Sequence, residues 1–249
     1  MSTMARFLGV LRSATIYYGI PFRARRLAHF YSQFVSEGAL CFDIGAHAGN
    51  RIRCWRGLGA RVVAVEPQQD FFRILHRLYG RDPSVTLLQC AVGRSAGEAT
   101  LFISERHPTV TTLSSEWIQR MKTDPAFNEV EWSKSAPTEV TTLQGLIESY
   151  GLPEFIKIDV EGYEAEVLGG LSTAVSSLSF EYLPIVRHIA LECVDRLSQL
   201  GEYRYNWSTG ESHQLRAREW LDTKAIGELI TNLPERSASG DIYARLVSD

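Results

Sequence analysis

Four carboxylates and one glycine-bearing turn carry most of the chemistry this chain could perform. Asp43 closes a short apolar run and leads into Gly45, Ala46, His47 and Gly49 of the stretch DIGAHAGN. Glycines between a strand and a helix let a ligand approach the backbone closely. The helix expected from Asn50 would point its free N–H groups at that ligand. Glu66 stands 23 residues after Asp43, in the sequence VEP, with Pro67 stiffening the turn beyond it. In doubly wound folds a carboxylate at this strand end accepts hydrogen bonds from ribose hydroxyls. Asp159 and Glu161, in FIKIDVEGYEAEVL, are two residues apart and share a face where the strand persists. Lys157 falls on the same face, and Gly162 permits a sharp turn. Such a carboxylate pair can act as a general base or steady a cation. The competing structural role is to cap the helix that follows.

The turn is not a dinucleotide fingerprint. Counted from Gly45, the next two glycines of G-x-G-x-x-G would fall at His47 and Asn50. Asp43 would also repel a pyrophosphate. S-adenosyl-L-methionine, with a sulfonium and an amino group in place of phosphates, fits this turn. His47 lies where it could touch the methionine carboxylate. Cys90 and Ala91, at the end of a third strand, offer a small apolar wall for an adenine ring. The competing classes are a nicotinamide-dependent oxidoreductase and a non-catalytic protein that kept the fold.

These residues need a sheet to bring them together. Apolar runs read as strands over residues 39–44, 61–66, 85–92, 155–160, 176–182, 203–207 and 241–247, and most are followed by helix-like stretches. That alternation predicts an α/β, Rossmann-like doubly wound sheet of seven strands. Helices are expected over residues 50–58, 69–79, 163–174, 184–200 and 220–233. Residues 98–104 and 138–143 read as an inserted β-hairpin. The long polar segment between them, 105–137, carries Trp117 and Trp132 and reads as a lid or binding loop. Residues 1–38 read as an N-terminal helical segment capping a binding domain of residues 39–249.

The net charge of −3 gives no basic surface for nucleic acid. No apolar run approaches the ~18 residues needed to span a bilayer. The basic, partly amphipathic start of the chain leaves peripheral membrane contact open. Neither the four cysteines nor the six histidines show zinc-type spacing, so no metal site is expected. Cys41, Cys54, Cys90 and Cys193 read as free thiols of a cytoplasmic protein. A divalent-metal-dependent subtype of enzyme stays open, to be decided by sensitivity to chelators.

The order DIGAHAGN, VAVEP, AVGRSAGEATLF and FIKIDVEGYEAEVLGGL resembles the FkbM-type methyltransferase family over residues 40–171. The resemblance implies a class I methyltransferase fold that transfers a methyl group, usually to a hydroxyl oxygen of a small molecule or glycan. It further implies that Gly45, Ala46 and Gly49 line the methionine end of the cofactor and that Glu66 holds its ribose. Asp159 and Glu161 are then the expected catalytic residues. The chain departs from the family at His47, where asparagine is frequent, and at Arg94, where an acidic residue often follows AVG. Beyond Leu171 the likeness is weak.

Overall fold

The computed structural model describes residues 23–247. A mixed seven-stranded sheet forms its centre, assembled from β1 (Leu40–Ile44), β2 (Arg61–Val65), β3 (Val85–Leu88), β7 (Phe155–Ile158), β8 (Ser177–Tyr182), β9 (Tyr203–Trp207) and β10 (Gly240–Leu246). The spatial order is β3-β2-β1-β7-β8-β10-β9, with β10 antiparallel to both neighbours and the other pairs parallel. The order reverses between β1 and β7, so a crevice opens at their carboxyl ends. This is the α/β, doubly wound class expected from the sequence.

Side chains alternate across the strands, and both faces are apolar because both are covered. Phe42, Ile44, Ile156 and Ile158 face one way, onto α5 (Leu143–Tyr150), α6 (Glu164–Gly169), α7 (Arg187–Leu200) and α8 (Thr223–Asn232). Cys41, Val62, Ala64 and Phe155 face α1 (Arg23–Tyr31), α2 (Asn50–Gly57) and α3 (Gln69–Tyr79). Trp55, Tyr31, Phe34 and Phe155 meet in edge and tilted ring contacts at 5.2–5.8 Å. Large apolar side chains buried this way contribute about 1.5–3 kcal/mol each. The expected helix over residues 1–22 lies outside the described residues; α1 packs on the domain.

Two expectations need correction. The run 85–92 is not one strand. β3 ends at Leu88, and Ala91–Val92 form β4 in a separate three-stranded sheet. That sheet has the order β4-β6-β5, with β5 (Gly97–Ile103) antiparallel and β4 parallel to β6 (Lys134–Thr141). The inserted pair therefore forms as expected but is a three-stranded sheet, fed by the chain leaving the main sheet at Gln89. The helix expected over 163–174 is also shorter, since α6 stops at Gly169 before a second glycine. A further helix, α4 (Ser115–Met121), lies inside the insertion, with Ser114 accepting from the Trp117 N–H as its cap.

Gly45 is forced by the fold. Its φ is +83°, and a Cβ there would collide with the Asp159 carbonyl oxygen. Gly38 has a similar φ of +79° with open space around it. Gly38→Ala should therefore cost only the left-handed penalty of about 1–2 kcal/mol. Gly45→Ala should cost several times as much or prevent folding. Urea denaturation of the two variants checks this, and equal losses would refute it.

Candidate active site

The sheet brings charged groups together in its interior. Asp43, Lys157, Ser179 and Tyr243 lie in one row across β1, β7, β8 and β10. Lys157 is fully buried, donates to Asp241 Oδ1 at 2.6 Å and lies 3.5 Å from Asp159 Oδ2. Burial alone would strip its proton, but Asp159 and Asp241 outweigh that and hold it above the usual lysine range. Arg51, in the first turn of α2, approaches Asp159 from the other side at 3.0 Å. Asp43 is wholly buried, and its two carboxylate oxygens have no hydrogen-bond partner among the described residues. Burial pushes it up to about 6, and Arg51 opposes that shift.

Above this layer lies a cleft of about 790 Å³, counting its open mouth. Ligand pockets typically occupy about 300–1,000 Å³. Of the residues singled out from the sequence, Gly45, His47, Glu66, Pro67, Cys90, Ala91, Asp159 and Glu161 line it. Asp43, Ala46 and Gly49 do not; they lie behind it. Gly49, at φ +78°, is needed by the protein itself, because a Cβ would sit 2.7 Å from Leu75 and 2.8 Å from Tyr79. On the Cβ side of Gly45 and Gly49 the space is thus filled by protein atoms, while Gly45 still borders the cleft.

Glu66 is buried at the end of β2 and accepts the backbone N–H groups of His47 and Gln68, both at 2.8 Å. Burial pushes it up to about 7 against the pull of those two bonds. His47 adopts φ +47°, and its ring centroid lies 3.7 Å from that of Phe71. Burial lowers its pKa to about 4, so it is neutral. Cys90 and Ala91 stand where the chain crosses between the two sheets.

Asp159 and Glu161 do not cap α6. Tyr163 precedes the helix with no side-chain cap bond, and Glu164 braces the turn before it, its Oε1 accepting from the N–H groups of Val160 at 3.1 Å and Gly162 at 3.3 Å. Glu161 holds a left-handed φ of +53°, uncommon for a side chain of this size. Thr112 Oγ1 fixes this turn by donating to the Glu161 carbonyl at 2.7 Å. Burial raises the Glu161 carboxyl well above the usual range, and the charge of Asp159 adds to that. Both carboxyl groups face the cleft.

The insertion supplies the opposite wall through Thr109, Thr111 and Leu113. Gln68 anchors it by donating to the Pro108 carbonyl at 2.9 Å. Its tryptophans pack on each other, 5.9 Å apart at 87°, and Trp132 Nε1 donates to Val110 O at 2.8 Å. Sequence reasoning missed Arg51, Asn50, Gln68 and the threonines. Arg51 alone had a signal: a cation in the helix turn directly after the glycine turn.

The geometry agrees with what comparison with known proteins finds. Residues 43–224 match the Methyltransferase FkbM domain. The chain belongs to the FkbM methyltransferase family. A relative in Haloferax volcanii, the hexuronic acid methyltransferase AglP, is 26% identical over 171 residues. That match covers 67% of this chain and 63% of the relative, so the chain spans less than two thirds of the relative's length. Among solved structures, a TehB-like SAM-dependent methyltransferase from Corynebacterium glutamicum superposes with a TM-score of 0.46 at 8% identity, covering 95% of this chain and 94% of the other. Aeropyrum pernix fibrillarin with bound S-adenosyl-L-methionine gives 0.44 at 11% identity, covering 88% and 72%.

The buried carboxyls carry a pH signature. Glu66 and Glu164 both titrate near 7 in the folded protein because burial raises them. The unfolded chain releases those protons near pH 4.3. Between these values the folded state binds more protons, so stability falls as pH rises. His47 acts with the opposite sign, but only below its unfolded pKa near 6.5. The ligand-free protein should therefore lose melting temperature from pH 6.5 to 8, and Glu66→Gln should flatten part of that slope. A profile that rises across this window in scanning calorimetry would contradict the assignment.

Proposed function

We propose that the chain is an S-adenosyl-L-methionine-dependent O-methyltransferase whose acceptor is a hydroxyl of a small molecule or glycan. The observation that carries this is the position of the cleft: the family-matched residues 43–224 supply its lining, at the reversal point of the sheet. In this reading the cofactor's methionine end sits by the turn at Gly45 and His47. Its ribose hydroxyls donate to Glu66, and its adenine lies along Cys90 and Ala91. The relative that modifies hexuronic acid supports a sugar acceptor.

Methyl transfer from a sulfonium is an in-line displacement. The acceptor oxygen forms a bond to the methyl carbon as the carbon–sulfur bond breaks, leaving S-adenosylhomocysteine and a methyl ether. The cleft's contribution is to hold oxygen and methyl in line. The hydroxyl proton leaves as the new bond forms. The Glu161 carboxylate, whose proton affinity burial raises, accepts it, and Arg51 and Lys157 hold Asp159 in place beside it. Neutral His47 adds no positive charge beside the sulfonium.

Glu66→Ala should weaken S-adenosylhomocysteine binding by roughly tenfold or more, the loss of one or two charge-assisted hydrogen bonds. Glu161→Gln should lower kcat by ~10²–10⁴ with cofactor affinity nearly intact. Its melting temperature should not fall, because the Glu161 side chain makes no cap bond to the helix. Calorimetry and turnover on hexuronic-acid-containing glycans check both. A Glu161→Gln enzyme of normal kcat, or wild-type protein that binds a nicotinamide cofactor and not S-adenosylhomocysteine, would overturn the reading.

A further inference from the structure

We infer that Asp159, Glu161 and Glu181 form a binding site for one hard divalent cation at the inner end of the cleft. One carboxylate oxygen from each residue lies within 4.8 Å of the others. A cation held at about 2.4 Å from its ligands spans about 4.8 Å between opposite oxygens. The three residues come from two neighbouring strand ends: Asp159 and Glu161 lie in the turn after β7, and Glu181 is the penultimate residue of β8, opposite Asp241.

The second observation is Glu181 itself. Its Oε2 is shielded from solvent and has no hydrogen-bond partner among the described residues. A carboxylate oxygen left this way is costly unless a cation or proton compensates it. The nearby cations are already engaged. Lys157 is shared between Asp241 and Asp159, and Arg51 bonds Asp159. Asp43 and Asp241 add further negative charge in the same layer. An all-oxygen, all-carboxylate donor set suits Mg²⁺, Mn²⁺ or Ca²⁺ and lacks the nitrogen and sulfur ligands typical of zinc sites.

Asp159 and Glu161 also line the cleft, so the cation would face the acceptor. A hydroxyl oxygen that ligates it would give up its proton more readily. That catalytic role rests on the methyl-transfer reading, whereas cation binding does not.

The test uses the full chain stripped with chelator and titrated with Mn²⁺, followed by electron paramagnetic resonance. S-adenosylhomocysteine binding is measured calorimetrically on the same samples. One Mn²⁺ per chain is expected, with a melting temperature that climbs with Mn²⁺ concentration. Glu181→Gln should weaken binding at least tenfold and raise the metal-free melting temperature, because it relieves charge repulsion. Absence of saturable Mn²⁺ binding by wild type overturns the inference, and this arm holds even if a variant fails to fold. Equal Mn²⁺ affinity in Glu181→Gln and wild type overturns it too. If Glu181→Gln is stabilised while Mn²⁺ shifts no melting temperature, the carboxyls share protons and the cation site is refuted. Mn²⁺ binding without S-adenosylhomocysteine binding would sink the methyl-transfer reading alone.

Discussion

The buried ammonium of Lys157 is the interaction on which the rest of the site depends. It lies in the sheet interior between Asp241 and Asp159, joining the end of β7 to β10 across β8. Without it, Asp43, Asp159 and Asp241 would crowd a dry layer with only Arg51 to balance them. Removing one partner of a buried ion pair typically costs about 3–5 kcal/mol, because the remaining charge is left uncompensated. The antiparallel strand β10 therefore does more than extend the sheet. It delivers the counter-charge that fixes the ammonium, and the ammonium fixes the carboxylate at the cleft.

Strain and bracing hydrogen bonds balance in the turn after β7. Glu161 occupies a backbone region that costs of order 1–3 kcal/mol for a non-glycine residue. Glu164 and Thr112 offset that by bonding the turn's N–H groups and carbonyl. The turn is thus braced from within the helix, and the Glu161 carboxyl faces the cleft beside Asp159, which Arg51 and Lys157 hold.

Much of this was legible in the sequence. Mainly apolar runs revealed the central strands, because a sheet covered on both faces keeps polar residues few, here Asp43, Lys157 and the alternate residues of SLSFEY. The order of Asp43, Gly45, Glu66, Asp159 and Glu161 located the crevice, because each stands at the carboxyl end of a strand. What stayed hidden is long-range. Glu181 reads as one of three alternating polar residues in the strand SLSFEY, and only the register with β7 and β10 brings it beside Asp159. The break at Gln89 is equally silent, since either sheet accepts the residues on both sides of it. At Gly45 and Gly49 the fold itself also excludes a side chain, because a Cβ would meet Asp159 at the one and Leu75 and Tyr79 at the other.

The contact between Gly45 and the Asp159 carbonyl has a consequence for how such a site can diversify. The turn that follows β1 and the loop that follows β7 interlock with no space for a methyl group, so neither can shift without the other. Lineages of this architecture would then inherit that half of the cleft as a single frozen part. New acceptors would have to be accommodated on the far wall, where Thr109, Thr111 and Leu113 belong to an excursion of the chain outside the main sheet. Under the methyl-transfer reading proposed above, exchange of that excursion between relatives would change the acceptor while leaving the interlocked floor intact.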